Sequence, residues 1–134
     1  MEIINQFVLS RIPKNTRRLL DIGCGTGWLG REIKKENNCY VVGITISEEE
    51  AAIASQRLDR VIRCDLNNFD PSELGKFDCI VCSHILEHLY QPQDFLRRLR
   101  NNLIPEGVLI VALPNILFWK QRWDFLRGRF RYTY

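Results

Sequence analysis

Short apolar runs of strand length alternate along this sequence with segments of helical periodicity. The runs that predict strands are RRLLDI (17–22), CYVVGI (39–44), RVIRC (60–64), FDCIVCS (77–83) and VLIVALP (108–114). The segments that predict helices are residues 2–12, 28–37, 47–58 and 91–103. Near-continuous apolar strands are typical of parallel sheets that are covered on both faces, so the order predicts βαβ units and a doubly wound, mostly parallel α/β sheet.

The length of 134 residues predicts a single domain over 1–134. We expect an N-terminal helix within 1–13, a core over 14–114 and a helix or tail over 115–134. No apolar run approaches the ~20 residues that span a bilayer, and the N-terminus does not resemble a signal peptide. The expectation is a cytoplasmic protein without a transmembrane segment.

Neither the cysteines nor the histidines predict a metal site. The five cysteines lie in apolar runs, as reduced core thiols do. Cys79 and Cys82 match C-x-x-C, but strand residues three apart point to opposite faces of a sheet. His84 and His88 belong to an H-x-x-E-H motif and would share one face of a helix, yet no distal ligand stands in a suitable helix.

The C-terminal tail mixes aromatic and basic residues. Five basic residues stand against Asp124, so the tail carries the positive charge of the chain; they are Lys120, Arg122, Arg127, Arg129 and Arg131. Aromatic residues among cations can stack on nucleic-acid bases. The helical spacing of Trp119 and Trp123 favours packing onto the domain instead, so nucleic acid is not the expected partner.

A glycine-rich turn, Asp21-Ile-Gly-Cys-Gly-Thr-Gly27, stands where the first strand meets the first helix. Glycines let the backbone approach a ligand closely, and the helix N-terminus presents unpaired amides. Gly25–Gly30 also matches G-x-G-x-x-G, so a nucleotide-dependent oxidoreductase is one alternative. Asp21 argues against it, because a carboxylate there would repel a pyrophosphate and attract an ammonium group. A tight turn without a ligand is a further alternative.

The turn resembles the first motif of class I S-adenosylmethionine-dependent methyltransferases. FDCIVCSHILEHL (77–89) and LIPEGVLIVALPN (103–115) are similar to the family's fourth- and fifth-strand motifs, and the later residues are similar to the MetW-like subgroup (methyltransferase type 11 or 23). The resemblance implies a Rossmann-like sheet of strand order 3-2-1-4-5. The family fold usually continues with two more strands, one of them antiparallel, so we expect this chain to lack them, as a fragment would.

The resemblance further implies a set of cofactor-binding residues. Asp21 would face the methionine amino group, and the backbone of Gly23, Gly25 and Gly27 would pass beneath the methionine part. These roles are expectations from the family motif.

Two other loops enter the implied site. Asp65 would meet the adenine amino group, with an amide from Leu66 nearby, although Asp65 could equally be a turn cap. Ser83 and His84 would line the far side at the end of the fourth strand. His84 is the candidate catalytic base, since imidazole titrates near neutral pH.

The ribose site departs from the common pattern, in which an Asp or Glu stands at the position of Thr45. GITISEEE (43–50) resembles G-x-T-x-S-x-x-Q of the cyclopropane-synthase-like and sterol-methyltransferase-like enzymes, with Glu50 in place of the Gln. We therefore predict that Thr45 and Glu50 hold the ribose, with Ile46 between them in the site. The alternative is a capping box formed by Ser47 and Glu50.

The implied function is transfer of a methyl group from S-adenosylmethionine, leaving S-adenosylhomocysteine, to a small-molecule, lipid or glycan acceptor that the sequence does not identify. A non-catalytic S-adenosylmethionine-binding or scaffold domain is the alternative, because of Thr45 and the short chain. We also expect the edge of the fifth strand to be covered by the tail or paired with a second copy in a homodimer.

Overall fold

The computed structural model describes residues 2–83, 85–112 and 130–133. Its elements are α1 (Glu2–Arg11), β1 (Arg18–Ile22), α2 (Trp28–Glu36), β2 (Tyr40–Thr45), α3 (Glu48–Ala54), β3 (Arg60–Arg63), β4 (Phe77–Ser83), α4 (Pro92–Arg100), β5 (Leu103–Ala112) and β6 (Phe130–Thr133). The sheet order is β3-β2-β1-β4-β5-β6, and every neighbouring pair is parallel. The predicted α/β class and the strand order 3-2-1-4-5 are confirmed.

Both faces of the sheet are buried, as the apolar strands predict. One face packs with α4 through Leu20, Ile22, Ile44, Ile80, Phe95 and Leu99. The other face packs with α1 and α2 through Val8, Ile12, Leu19, Leu29, Ile33, Val41 and Val81. Cys79 belongs to the second cluster and Cys82 to the first, which confirms that these two thiols face opposite sides of the sheet.

Two element boundaries differ from the sequence prediction. Helix α3 ends at Ala54, earlier than the periodicity over 47–58 indicates, and turns then bring Leu58 into the core. The side chain of Leu58 lies where a Cβ on Gly30 or Gly43 would stand, so those glycines make room for it. Strand β5 begins at Leu103 rather than residue 108, because Leu103 pairs with Phe77 before a register shift.

The edge of β5 is paired by residues from the tail of the same chain. Phe130–Thr133 lies parallel to the β5 segment from Leu109 to Ala112. The sequence predicted that the tail or a second copy would cover this edge, and the tail does so. It predicted a helix or tail over 115–134, not a strand at Phe130–Thr133. The helical spacing between 116 and 126 falls outside the described residues. Within the described ranges, no helix has the length and apolarity needed to cross a membrane.

Candidate functional site

A cavity of about 370 Å³ opens at the carboxyl ends of the central strands. Strands β1 and β4 are neighbours in the sheet. The connection after β1 runs towards β2 and the connection after β4 runs towards β5, in opposite directions, which creates a switch point between them. Open α/β sheets bind ligands at such crevices. The lining residues are Gly23, Gly25, Ile44, Thr45, Ile46, Glu50, Cys64, Asp65, Leu66, Asn67, Ser83, Ile85, His88 and Leu89.

The glycine turn forms one side of the cavity and has a backbone that other residues adopt with difficulty. Gly23 has φ of 81°, and a Cβ built on it would lie 2.5 Å from Cγ2 of Ile85. Gly25 has φ of 55°, and its Cβ would lie 3.6 Å from Oε2 of Glu50. The turn is held from below by hydrogen bonds that the amides of residues 23 and 24 donate to the carbonyl of Ile44, at 2.8 and 2.9 Å. The turn therefore needs glycine at both positions.

Asp21 lies behind this turn and is almost fully buried, with 2% of its surface exposed. It pairs in the sheet with Gly43 and Val81, and none of the hydrogen bonds among the described residues reaches its carboxyl group. Burial raises the pKa of Asp21 to about 7. Burial, and then the charge of Asp21, raise the pKa of the Cys24 thiol to about 12. A cation placed near Asp21 would stabilise its ionised form.

Thr45 and Glu50 are brought together at the cavity wall. The Thr45 hydroxyl donates a hydrogen bond to Oε1 of Glu50 at 3.3 Å. Ser47 caps α3, because its Oγ accepts a hydrogen bond from the Glu50 amide at 3.2 Å. Only half of the capping box forms, since the Glu50 carboxylate contacts Thr45. The cavity thus has a carboxylate beside the end of β2, supplied from the first turn of α3.

Asp65 combines the two roles that the sequence left open. Its Oδ1 accepts hydrogen bonds from the backbone N–H of Asn67 at 3.0 Å and from Nδ2 of Asn67 at 3.2 Å. These bonds cap the short 3-10 turn Leu66–Asn68. Asp65 also lines the cavity together with Leu66 and Asn67. A turn cap and a ligand-facing carboxylate are therefore compatible in one residue.

The wall after β4 is largely apolar. Ile85 and Leu89 line it together with His88, whose side chain is 79% exposed. Leu86–His88 is a 3-10 turn and not the helix that a zinc-type H-x-x-E-H arrangement requires. Across the parts of the chain that the structure describes, no cluster of His, Cys, Asp and Glu could hold a metal ion. His84, the candidate base, lies outside the described residues.

The charge of the lining is negative. Glu50 and Asp65 are its carboxylates, and no Lys or Arg stands among the described lining residues. Like charges close together are strongly unfavourable in a partly dehydrated site. The cavity is therefore suited to a neutral or cationic nucleoside and poorly suited to a pyrophosphate.

The structure brings most of the predicted cofactor residues into one cavity. Those that line it are Gly23, Gly25, Thr45, Ile46, Glu50, Asp65, Leu66 and Ser83. Asp21 lies behind the lining. Gly27 lies outside it as the N-cap of α2, where its Cβ would meet Ala54 and Leu58.

The lining also contains residues that the sequence reasoning missed. They are Ile44, Cys64, Asn67, Ile85, His88 and Leu89. Ile85 and Leu89 could have been predicted to line the cavity, because they are apolar residues that follow the fourth strand. Asn67 could not have been predicted, because its contacts join two loops that are distant in sequence.

The sheet order, the glycine turn at the switch point and the anionic cavity define a Rossmann-like domain of the class I S-adenosylmethionine-dependent methyltransferase type. A family model described as a methyltransferase domain matches residues 20–109. The chain belongs to this family.

Three similar proteins show how far the likeness of this chain to known proteins extends. The ubiquinone biosynthesis O-methyltransferase of Marinobacter nauticus is 26% identical over 81% of this chain and 49% of its own length. The plantazolicin methyltransferase BpumL, solved with S-adenosylhomocysteine, has a TM-score of 0.69 at 22% identity, covering 95% of this chain and 50% of that one. The [4+2]-cyclase SpnF has a TM-score of 0.65 at 27% identity, covering 81% and 43%. The chain thus spans about half the length of the first of these relatives.

Proposed function

We propose that this chain binds S-adenosylmethionine in the cavity beside the glycine turn and transfers its methyl group to an acceptor. The observation that carries the proposal is the juxtaposition of Gly25, Thr45 and Glu50. A Cβ-free backbone faces a carboxylate that is already oriented by a hydroxyl, at the switch point of the sheet. Hydroxyl groups of a sugar are the natural donors to such a carboxylate.

The remaining lining residues fit the other parts of the same cofactor. Asp65 offers an acceptor for the amino group of adenine, and Leu66 offers an apolar surface for the ring. Asp21, buried and without a hydrogen bond among the described residues, is suited to compensate the cationic amino group of the methionine part, directly or through water. The residues present therefore fit three groups of the cofactor: the ribose hydroxyls, the adenine amino group and the cationic amino group of the methionine part.

The cofactor supplies an activated methyl group, so the protein mainly has to align the acceptor with it. Ser83, at the end of β4, lines the cavity on the side of the wall formed by Ile85 and Leu89. We propose that this wall excludes water from the transfer. His84 follows Ser83 directly and stays the candidate base for an acceptor that must lose a proton.

The acceptor and the setting of the reaction are part of the proposal. We propose a small-molecule, lipid or glycan acceptor, and a cytoplasmic location in keeping with five free cysteines. A binding domain without methyl transfer is the second candidate. SpnF supports it in one respect: that protein is described as a [4+2]-cyclase, so a similar fold serves a reaction other than methyl transfer.

Calorimetric titration with S-adenosylhomocysteine tests the proposal, with NADH titrated in parallel. We expect affinity on the order of micromolar for the first ligand and no binding of the second. Glu50→Ala should weaken binding roughly 10- to 150-fold, the equivalent of one charge-assisted hydrogen bond.

Glu49→Ala is the matched control, since Glu49 is an exposed neighbour on α3 and does not line the cavity. Unchanged affinity in the Glu50 variant would show that the carboxylate does not hold the ribose. Binding of NADH alone would favour the oxidoreductase alternative.

A further inference from the structure

The side chain of Asn67 bridges two loops that face each other across the cavity. Its Oδ1 accepts a hydrogen bond from the backbone N–H of Tyr90 at 3.0 Å. Its Nδ2 donates a hydrogen bond to Oδ1 of Asp65 at 3.2 Å. Asp65 follows β3, whereas Tyr90 lies in the segment after β4. One amide group therefore joins both walls.

The orientation of this amide is determined by its partners. The Tyr90 N–H is a donor and the Asp65 carboxylate is an acceptor, so Oδ1 of Asn67 must face the first and Nδ2 the second. The backbone N–H of Asn67 donates to the same oxygen of Asp65 at 3.0 Å. None of these bonds uses Oδ2 of Asp65, so a carboxylate that lines the cavity keeps one oxygen able to accept a hydrogen bond from a ligand.

We propose that Asn67 is a positioning residue that makes the cavity select a 6-amino purine over a 6-oxo purine. The inference rests on the proposed function, because it takes the base of the cofactor to lie against Asp65. An ionised carboxylate accepts a hydrogen bond from an amino group and repels a carbonyl oxygen. A carboxylate that could rotate would avoid the carbonyl, so discrimination requires Asp65 to be held in place, and Asn67 holds it.

Two substitutions separate positioning from simple support of the fold. Asn67→Asp is nearly isosteric and keeps an acceptor for the Tyr90 N–H, but it turns an oxygen towards Asp65 and so repels the carboxylate. Asn67→Ala removes both side-chain bonds without adding charge. Asn68→Asp is the matched control, because Asn68 is exposed, stands next in sequence, lies outside the lining and receives the same change of charge.

The experiment titrates the wild-type chain and these three variants with S-adenosylhomocysteine and with S-inosylhomocysteine, which has an oxygen in place of the amino group. The wild-type chain should prefer the adenosyl compound by at least about tenfold, as expected for one hydrogen bond to a charged group. Asn67→Asp and Asn67→Ala should reduce this preference roughly tenfold through weaker binding of the adenosyl compound. Asn68→Asp should keep the preference of the wild type.

If the Asn67 variants lose affinity equally for both ligands, Asn67 only supports the fold, and the proposal is overturned. An unchanged preference in both variants, with the wild type discriminating, would overturn it as well while leaving the proposed function intact. Failure of the wild-type chain to bind S-adenosylhomocysteine would contradict the proposed function itself, and the assignment of Asn67 with it. Circular dichroism of each variant confirms that the fold is retained before the comparison is made.

Discussion

Replacing Asp21 by Asn should stabilise the ligand-free protein relative to the wild type, by an amount that grows as the pH rises. Burial raises the pKa of Asp21 from 3.8 to about 7. The folded chain therefore binds more protons at this group than the unfolded chain does between these two pH values. Where the folded state binds more protons, the free energy of unfolding falls with increasing pH. The wild-type protein thus loses stability through this window, and Asn at position 21 removes the loss.

The size of the effect follows from the two pKa values. Each unit of difference corresponds to about 1.4 kcal/mol, and the full window is about three units wide. Between pH 5 and pH 8, the free energy of unfolding of Asp21→Asn should rise by about 2–3 kcal/mol relative to the wild type. Other titrating groups contribute equally to both proteins and cancel in the difference.

Urea unfolding followed by circular dichroism at pH 5, 6, 7 and 8 measures this difference. Glu49→Gln controls for loss of one exposed carboxylate and should follow the wild type at every pH. A difference between Asp21→Asn and wild type that does not change with pH would show that burial does not raise the pKa of Asp21. So would a difference that shrinks as the pH rises.

The same substitution should weaken ligand binding, although it stabilises the ligand-free fold. If Asp21 compensates a cationic amino group, Asp21→Asn weakens binding of S-adenosylhomocysteine while it stabilises the fold. Proteins often carry such a conflict between stability and function at binding sites. Wild-type affinity should rise about tenfold from pH 6 to pH 8, because binding requires the ionised carboxylate. The affinity of the variant should stay level.

Two further substitutions test the turn beside the cavity and the loop at the amino end of β4. Gly23→Ala should destabilise the fold by at least about 1–2 kcal/mol, because φ of 81° is unfavourable for alanine and its Cβ would collide with Ile85. A thermal midpoint equal to that of the wild type would contradict this backbone conformation. Asn102 is buried and donates hydrogen bonds to the carbonyls of Pro71 and Gly75 at 2.8 and 2.7 Å. Asn102→Ala should therefore lower the free energy of unfolding by about 1–3 kcal/mol for each carbonyl left unpaired. Urea unfolding measures this loss, and an unchanged midpoint would show that these hydrogen bonds do not stabilise the fold.

Much of the fold was predictable because its strands are buried on both faces. A strand such as FDCIVCS has to be apolar on both sides, and this leaves a direct trace in the sequence. The boundaries were less predictable, because they depend on tertiary packing. Helix α3 ends early because Leu58 fits against Gly30 and Gly43, which belong to other elements. Strand β6 covers only four residues, so its alternation of aromatic and polar residues is a weak signal beside the helical spacing that precedes it.

The candidate site shows the same division between local and distant contacts. The glycine turn and the Thr45–Glu50 pair were found because each lies in one short motif. Asn67 was missed because its partners, Asp65 and Tyr90, meet only after β3 and β4 are both placed in the sheet. The motif also could not predict that Asp21 is buried behind the turn, because this burial depends on the strands on either side of β1.

A crystal structure of the chain with S-adenosylhomocysteine tests the location of the cofactor site most directly. We expect the nucleoside to lie between the glycine turn and Leu66, with the ribose hydroxyls within about 3.2 Å of Glu50. We also expect the adenine amino group to lie at hydrogen-bond distance from Asp65. Density for the ligand elsewhere on the protein, or an empty cavity at saturating ligand, would contradict the assignment of this cavity as the cofactor site.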